Sequence, residues 1–364
     1  MHLRCTRLLE MVRRMQENKH QKGTSLSINV ILNMFRTFMN MAFPLITYPY
    51  VTRVLGVENL GKYNFASSII GYLTLISAFG ISSYAIREGA RLRNFREQEN
   101  VFVNQMFTIG MITTLLSYVI MIVLCGMRSI EPYKYLICIQ SLSLIGNAVG
   151  IEWLNSVYED FAYITIRSLA FQILSIILMF AFVKSENGLY IYAFICVLAG
   201  VGGYVCNYLH SKKYVRVRLT KNVELMKHLR PLLFFFFSNL TTTIFVNSDQ
   251  TMLGLLSGDY YVGIYAVAVK IYNILKNIFT SILVVVMPRV CILSGQDEDE
   301  SQHVLSETIL KMILIIVIPM AVGIYLTSEK VVLIVAGAEY IEGVSALKIL
   351  ALSVLAAALA SYMT

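Results

Sequence analysis

The chain has 364 residues, of which 57% are hydrophobic and only 14% charged, with a formal net charge of +8 and a mean hydropathy of +0.66. Soluble domains carry about a quarter charged residues, so composition excludes a soluble globular protein and points to an all-α polytopic membrane protein. Residues 1–25 are basic and lack an apolar core followed by small residues, which argues against a cleavable signal peptide.

A membrane-spanning helix needs about 20 mostly apolar residues. Ten stretches qualify: 26–50, 64–86, 102–126, 134–152, 163–183, 189–209, 231–257, 261–288, 305–327 and 344–362. A shorter apolar piece, 331–336, reads as a surface or re-entrant segment. Alternate loops differ sharply in charge. The set 1–25, 87–100, 153–162, 210–230 and 289–304 carries 18 Lys and Arg, against 5 in the set 51–63, 127–133, 184–188, 258–260 and 328–343. Positive loops stay in the cytoplasm, so the first set and the N-terminus are expected inside. Because the basic residues track loop parity, they are assigned to topology and nucleic acid is not an expected partner. The run Asp297-Glu298-Asp299-Glu300 reads as a solvated loop, and Lys212–Arg218 as part of a linker near anionic headgroups.

The chain divides into a basic segment 1–25, a six-helix bundle 26–209, a basic linker 210–230, and a second bundle 231–364 of only four helices. The second bundle is thus expected to be incomplete, as in a truncated product. A weak internal repeat supports two related halves. Leu55-Gly56 followed by Gly61-Lys62-Tyr63 parallels Leu253-Gly254 followed by Gly263-Ile264-Tyr265, and the match extends from Ala66 to Ala268 and from Ile69 to Ile271. Repeated membrane helices with polar groups at matching places are a sign of transporters.

Polar residues inside the spans supply the candidate site. On the first span, Asn29, Asn33, Arg36 and Asn40 step by 4, 3 and 4, which puts them on one helical stripe with Thr47 near the same line. Arg36 lies about 15 Å deep at 1.5 Å per residue, where a cation is expected to face a bundle interior or a wet cavity. Pro44 and Pro49 should bend or interrupt this helix. On the eighth span, Lys270, Asn273, Lys276, Asn277 and Thr280 fall within an arc of about 120°, a face suited to an anion. Asp249 on the seventh span lies about as deep as Lys270, so the two could pair, as a pin between helices or as a gate. The stripes Asn239, Thr243, Asn247, Gln250 and Gln140, Ser143, Asn147 read mainly as helix glue. Trp153 reads as an interfacial anchor, and Glu152, Glu159 and Asp160 as a solvated loop. All five His fall in loops expected inside, so no His relay is expected within the spans. The six Cys form no CxxC pair and read as small apolar residues. No phosphate-cradling, GxSxG or HExxH motif is present, so an enzyme is not expected, and no cofactor or metal is called for.

The segments Pro44-Leu45-Ile46-Thr47-Tyr48-Pro49-Tyr50, Arg53-Val54-Leu55-Gly56 and Gly61-Lys62-Tyr63 together resemble the polysaccharide-biosynthesis (Wzx-type) flippases of the multidrug/oligosaccharidyl-lipid/polysaccharide exporter superfamily. So do Trp153, Glu159-Asp160-Phe161 with Ile164-Thr165-Ile166-Arg167, and Asp249-Gln250-Thr251-Met252-Leu253-Gly254 with Gly263-Ile264-Tyr265. The resemblance implies two six-helix bundles around a central cavity with alternating access. It also implies a polyprenyl-pyrophosphate-linked oligosaccharide as cargo (O-antigen, capsule or a related surface polysaccharide), moved from the inner to the outer leaflet and driven by an ion gradient. Arg36, Arg53 and Lys270 are the cations to which that role would pass. The expected location is a bacterial or archaeal cytoplasmic membrane. Expected partners are the lipid-linked oligosaccharide, the bilayer, and polysaccharide polymerase and assembly proteins, with a monomer as the default. A lipid II flippase and a drug/cation antiporter of the same fold are the nearest alternatives; a non-transporting scaffold or truncated inactive product is the alternative of another class. The excess of Arg36, Lys270 and Lys276 over Asp249 favours an anionic cargo over a cationic drug.

Overall fold

In lipid, backbone polar groups have no water to bond, so apolar runs must satisfy them internally as helix. The computed structural model describes residues 26–293 and 300–363; the side chains of 26–38, 40, 41, 279–293, 300–309, 312 and 361–363 lie outside the description. The stripe Asn29, Asn33, Arg36 and Asn40 is therefore placed by its backbone alone, and most of the acidic run 297–300 lies outside the described residues. The described elements are helical throughout: α1 (Leu26–Ala78), α2 (Ile81–Leu92), α3 (Arg96–Cys125), α4 (Lys134–Gly150), α5 (Glu152–Val157), α6 (Phe161–Phe182), α7 (Leu189–Ser211), α8 (Leu225–Leu256), α9 (Asp259–Leu293), α10 (Glu300–Val335) and α11 (Val344–Met363).

Helix covers most of each of the ten expected spans; 64–86 is interrupted at Phe79-Gly80 between α1 and α2, and 134–152 extends past the end of α4 at Gly150. Seven stretches among the described residues are long and apolar enough to cross a membrane. The difference has local causes. The first two spans join in one stretch, α4 has only 17 residues, and α9 runs into residues whose side chains are not described. Several boundaries move. The expected loop 51–63 is helical, broken only at Gly56 (φ 73°, ψ 172°), whereas Pro44 and Pro49 sit within helical backbone. A glycine reaches that φ at little cost, so the break falls on Gly56 rather than on the prolines. Half of the expected loop 87–100 belongs to α2. The piece 331–336 is the end of α10 rather than a surface segment.

The lipid signature is an inside-out helix. On α3, Ile112, Leu115, Leu116, Val119, Ile122 and Val123 face outward, while Thr113, Thr114 and Ser117 are buried. The buried hydroxyls bind α1. Thr113 donates to the Ser77 carbonyl at 2.7 Å, Ser77 and Thr114 pair at 2.6 Å, and Ser117 donates to the Leu73 carbonyl at 3.1 Å. Apolar side chains gain nothing by leaving lipid for a neighbouring helix, so small and hydroxylic residues make the contact. The same rule applies at α7, where the Tyr204 ring fills the space beside Gly146 and Gly150 of α4, and Phe171 of α6 lies against Gly202.

The helices separate into two compact units. One comprises Asn29–Met39 with Tyr50–Gly263; the other contains Asn40–Pro49 and the described part of Ile264–Thr364. Within the first unit the loops sort into two ends. At one end, Asn59 donates to the Glu186 carbonyl at 3.1 Å and Tyr133 to the Asp259 carboxylate at 2.7 Å, joining loops 51–63, 127–133, 184–188 and 258–260. We call this the turn end. At the other end, residues of 87–100, 153–162 and 210–230 bond to one another, as detailed below; we call this the strap end. The grouping matches the alternation of loop charge in the sequence.

The turn end also corrects the register of the internal repeat. Gly56 does not correspond to Gly254, which lies inside α8 against the Phe65 ring. The counterpart of Gly56 is Gly258 (φ 87°), the other positive-φ glycine that separates two helices at this end. With this pairing the spacing to Gly61 and Gly263 is equal in both halves. The two glycines then make reciprocal contacts. A Cβ on Gly61 would strike the carbonyl of Asp259, and one on Gly263 the carbonyl of Val57. Asp259 and Val57 each precede their own glycine by four residues, so residue i of one half meets residue j of the other and the reverse, as at an isologous interface. Substituting Gly61→Val or Gly263→Val should therefore destabilise the protein by about 1–3 kcal/mol or more. A lowered melting temperature in detergent checks this, and an unchanged one would show that the backbones need not approach so closely.

Candidate functional site

Helix α9 carries Lys270, Asn273, Lys276 and Asn277 of the expected polar face, and the Thr280 side chain lies outside the described residues. Lys270 lies eleven residues into the helix, about 16 Å along its axis. Its ammonium sits 5.6 Å from the centroid of the Tyr48 ring. Lys270, Asn273 and Lys276 are half-buried and Asn277 is exposed. A cation over an aromatic face is attracted by the ring's negative face, so Tyr48 helps to hold Lys270 in place. Tyr48 and Thr47 are both buried and stand at the end of the first-span stripe, in the same compact unit as Lys270 and Asn40. Sequence periodicity singled out Lys270 and gave no sign of Tyr48, whose contact with it depends on α1 lying beside α9.

The remaining candidates are distributed over both units. Arg36, Asn29 and Asn33 belong to the backbone segment grouped with the first unit. Arg53 is exposed and sits three residues before the Gly56 break, at the turn end rather than at mid-depth. Asp249 is exposed on α8 and belongs to the first unit, Lys270 to the second. The stripe around Asp249 is glue along one side. Thr251 donates to the Ser68 hydroxyl at 2.8 Å, and the Asn247 amide fills the space beside Gly71. Gln140 likewise donates to the Tyr63 carbonyl at 3.3 Å.

The strap end overturns the reading of Glu152, Glu159 and Asp160 as a solvated loop. Asp160 caps α6 by accepting from the Tyr163 N–H at 3.4 Å. It also accepts from His210 Nε2 at 2.9 Å and from the Tyr214 hydroxyl at 2.8 Å. Burial opposes its charge, but the bonds from Tyr214, His210 and Tyr163 outweigh it and hold the carboxyl below the usual range. Tyr214 stacks on Tyr158 at 3.9 Å, and Tyr158 donates to the buried Glu99 at 2.9 Å. Burial and that bond to Glu99 push the Tyr158 hydroxyl up to about 12. Arg167, 8% exposed, pairs with Glu152 at 3.1 Å and donates to the Gly203 carbonyl at 2.7 Å. Only Glu159 behaves as a surface group, in an exposed pair with Arg93.

Trp153 is not an interfacial anchor. It is buried in a cluster with Ile81, Phe102, Met106, Leu154 and Leu232, because α5 folds back after the left-handed Ile151 (φ 41°). His228 is buried too. Its Nε2 donates to Gln105 Oε1 at 2.8 Å while Nδ1 accepts from the Tyr84 hydroxyl at 2.9 Å, an arrangement that suits the neutral ring.

The helical fold, with seven stretches long and apolar enough to cross a membrane among the described residues, defines an all-α multi-pass membrane protein. The polysaccharide biosynthesis protein family model matches residues 26–294, and the chain belongs to that family. Two curated relatives, each named "Putative O-antigen transporter", are similar to it. One, from Shigella dysenteriae, is 26% identical over 278 residues, covering 74% of this chain and 68% of the relative. The other, from Escherichia coli (strain K12), is 26% identical over 274 residues, covering 73% and 65%. The chain thus spans about two thirds of their length. No solved structure gives a significant match.

Two predictions follow from the strap end. Asp160 has a lowered folded-state pKa, so its stabilisation is complete above the ordinary carboxylate range and is lost as pH falls through the lowered value. Asp160→Asn should lower the melting temperature at neutral pH and reduce the acid dependence of melting; a parallel acid profile would contradict the network. Glu152→Ala leaves the Arg167 guanidinium buried without its carboxylate and should cost about 3–5 kcal/mol. Glu152→Ala combined with Arg167→Met should recover part of that loss in the same melting assay.

Proposed function

We propose that the protein is a flippase that moves a polyprenyl-pyrophosphate-linked oligosaccharide from the inner to the outer leaflet in the synthesis of a surface polysaccharide. The observation that carries this reading is the Lys270 ammonium, held half-buried over Tyr48 deep within α9. Asn273, Lys276 and Asn277 follow on the same helix, and the Asn40 position falls in the same unit. A pyrophosphate carries about two negative charges and loses hydration on entering a bilayer. Charge-assisted bonds from fixed cations offset that loss. The amides suit sugar hydroxyls, and the polyprenyl tail remains in lipid. No covalent bond forms or breaks, so the protein acts as a transporter and not as an enzyme. Family membership and the names of the two relatives support the cargo class.

In this reading the strap end and the N-terminus face the cytoplasm, in accord with the excess of Lys and Arg there. Arg36 and Arg53 are further cationic stations for the pyrophosphate, with Asn29 and Asn33 beside Arg36. Asp249 is the ion-coupling or gating group, its carboxylate changing partners as the carrier reorients.

The test is exposure of the lipid-linked repeat unit at the outer face of cells lacking their own transporter, with a matched glycan. The chain should restore exposure. Lys270→Ala should lower its rate by about ten- to a hundredfold, the worth of one hydrogen bond to a charged group, and Lys270→Arg should retain most of it. Equal rates for the original and Lys270→Ala, at equal amounts of protein in the membrane, would remove Lys270 from the path. No exposure with the original chain would overturn the flippase reading.

A further inference from the structure

Between α7 and α8 the chain runs extended along α3, and the fit is metric. Asn100 accepts from the Arg216 N–H at 3.2 Å, Asn104 from the Arg218 N–H at 2.7 Å, and Thr108 from the Thr220 N–H at 3.0 Å. Four residues of helix advance about 6 Å and two residues of extended chain about 6.6 Å, so acceptors every fourth residue meet donors every second residue. The segment is a pinned strap. Alternation puts Val215 and Val217 on its inner side, packed on the Trp153 cluster, and leaves Arg216 and Arg218 exposed.

The strap and the start of α3 enclose a cleft of about 400 Å³, lined by four cations, Arg96, Lys212, Arg216 and Arg218, with Asn100 and Asn104 beneath them and no acidic side chain. Loop parity explains why basic residues gather at this end. It does not explain why the backbone of two of them is fixed by two side-chain acceptors, Asn100 and Asn104, so that they line one cleft with Arg96 and Lys212. Exposed apolar residues adjoin its lining residues in sequence. Phe95 precedes Arg96 and is 58% exposed; Leu219 follows Arg218 and is 66% exposed. Fixed cations beside exposed apolar groups fit an anionic headgroup with its acyl chains alongside.

We propose that this cleft is a phosphate-binding site that takes the headgroup phosphate of an anionic lipid at the membrane interface. The site lies outside the intramembrane cations and does not depend on what the protein transports. Its cations act as a set: the ladder uses backbone N–H groups, so replacing the Arg216 and Arg218 side chains leaves the strap in place while removing half of the charge.

The experiment is calorimetric titration of the purified full chain in neutral detergent with dioctanoyl phosphatidylglycerol, dioctanoyl phosphatidylcholine and inorganic pyrophosphate. Phosphatidylglycerol should bind more tightly than phosphatidylcholine and weaken with added salt. The double variant Arg216→Gln/Arg218→Gln should lose about thirtyfold in affinity for phosphatidylglycerol at an unchanged melting temperature. Lys184→Gln, which removes one charge at the turn end, should bind as the original does. Pyrophosphate binding without phosphatidylglycerol binding would overturn the lipid source. Equal affinity of the double variant and the original for phosphatidylglycerol would overturn the site.

Discussion

Two peptide carbonyls, those of Val57 and Asp259, set the spacing of the turn end, because each lies where a side chain on Gly263 or Gly61 would have to stand. A contact of backbone on backbone leaves no room for repacking, so the glycines fix both the distance and the register at which α1 and α9 cross. The neighbouring pairs run on from it in antiparallel order. Gly254 meets Phe65, Thr251 meets Ser68, and Asn247 meets Gly71 along α8 and the second part of α1. The left-handed glycines 56 and 258 provide the two chain reversals that feed this crossing. The matching spacing of Gly56 and Gly61 with Gly258 and Gly263 rests on residues that have no side chain to vary.

The two ends of the first unit are built on different physics. The turn end is closed by small residues and a few hydrogen bonds. The strap end is held by buried charge and aromatic stacking: Asp160 gathers His210, Tyr214 and the α6 N-terminus, Glu99 receives Tyr158, and Arg167 bridges Glu152 and Gly203. Such groups tolerate burial only when their partners are in place. They tie α3, α5, α6, α7 and the strap into one cooperative layer, and the four cations of the cleft rest on it.

The cations of this protein fall into two kinds. Arg167 is tied into its fold by the Glu152 carboxylate and the Gly203 carbonyl. Lys270 has its ammonium over the Tyr48 ring, 5.6 Å from the centroid.

Sequence by itself determined the class, the helical spans, the alternation of loop charge and the polar face of α9. All of these follow from periodicity and composition within one segment, and the bilayer forces each segment into helix whatever its neighbours do. The tertiary structure decided what depends on two segments at once. It moved the break in α1 from the prolines to Gly56, re-registered the repeat through Gly258, buried Trp153, and turned Glu152 and Asp160 from loop groups into anchored ones. It set Tyr48 against Lys270 and pinned Arg216 and Arg218 along α3. None of these partners is close in sequence, and a charge or ring in a loop carries no local sign of what it will meet.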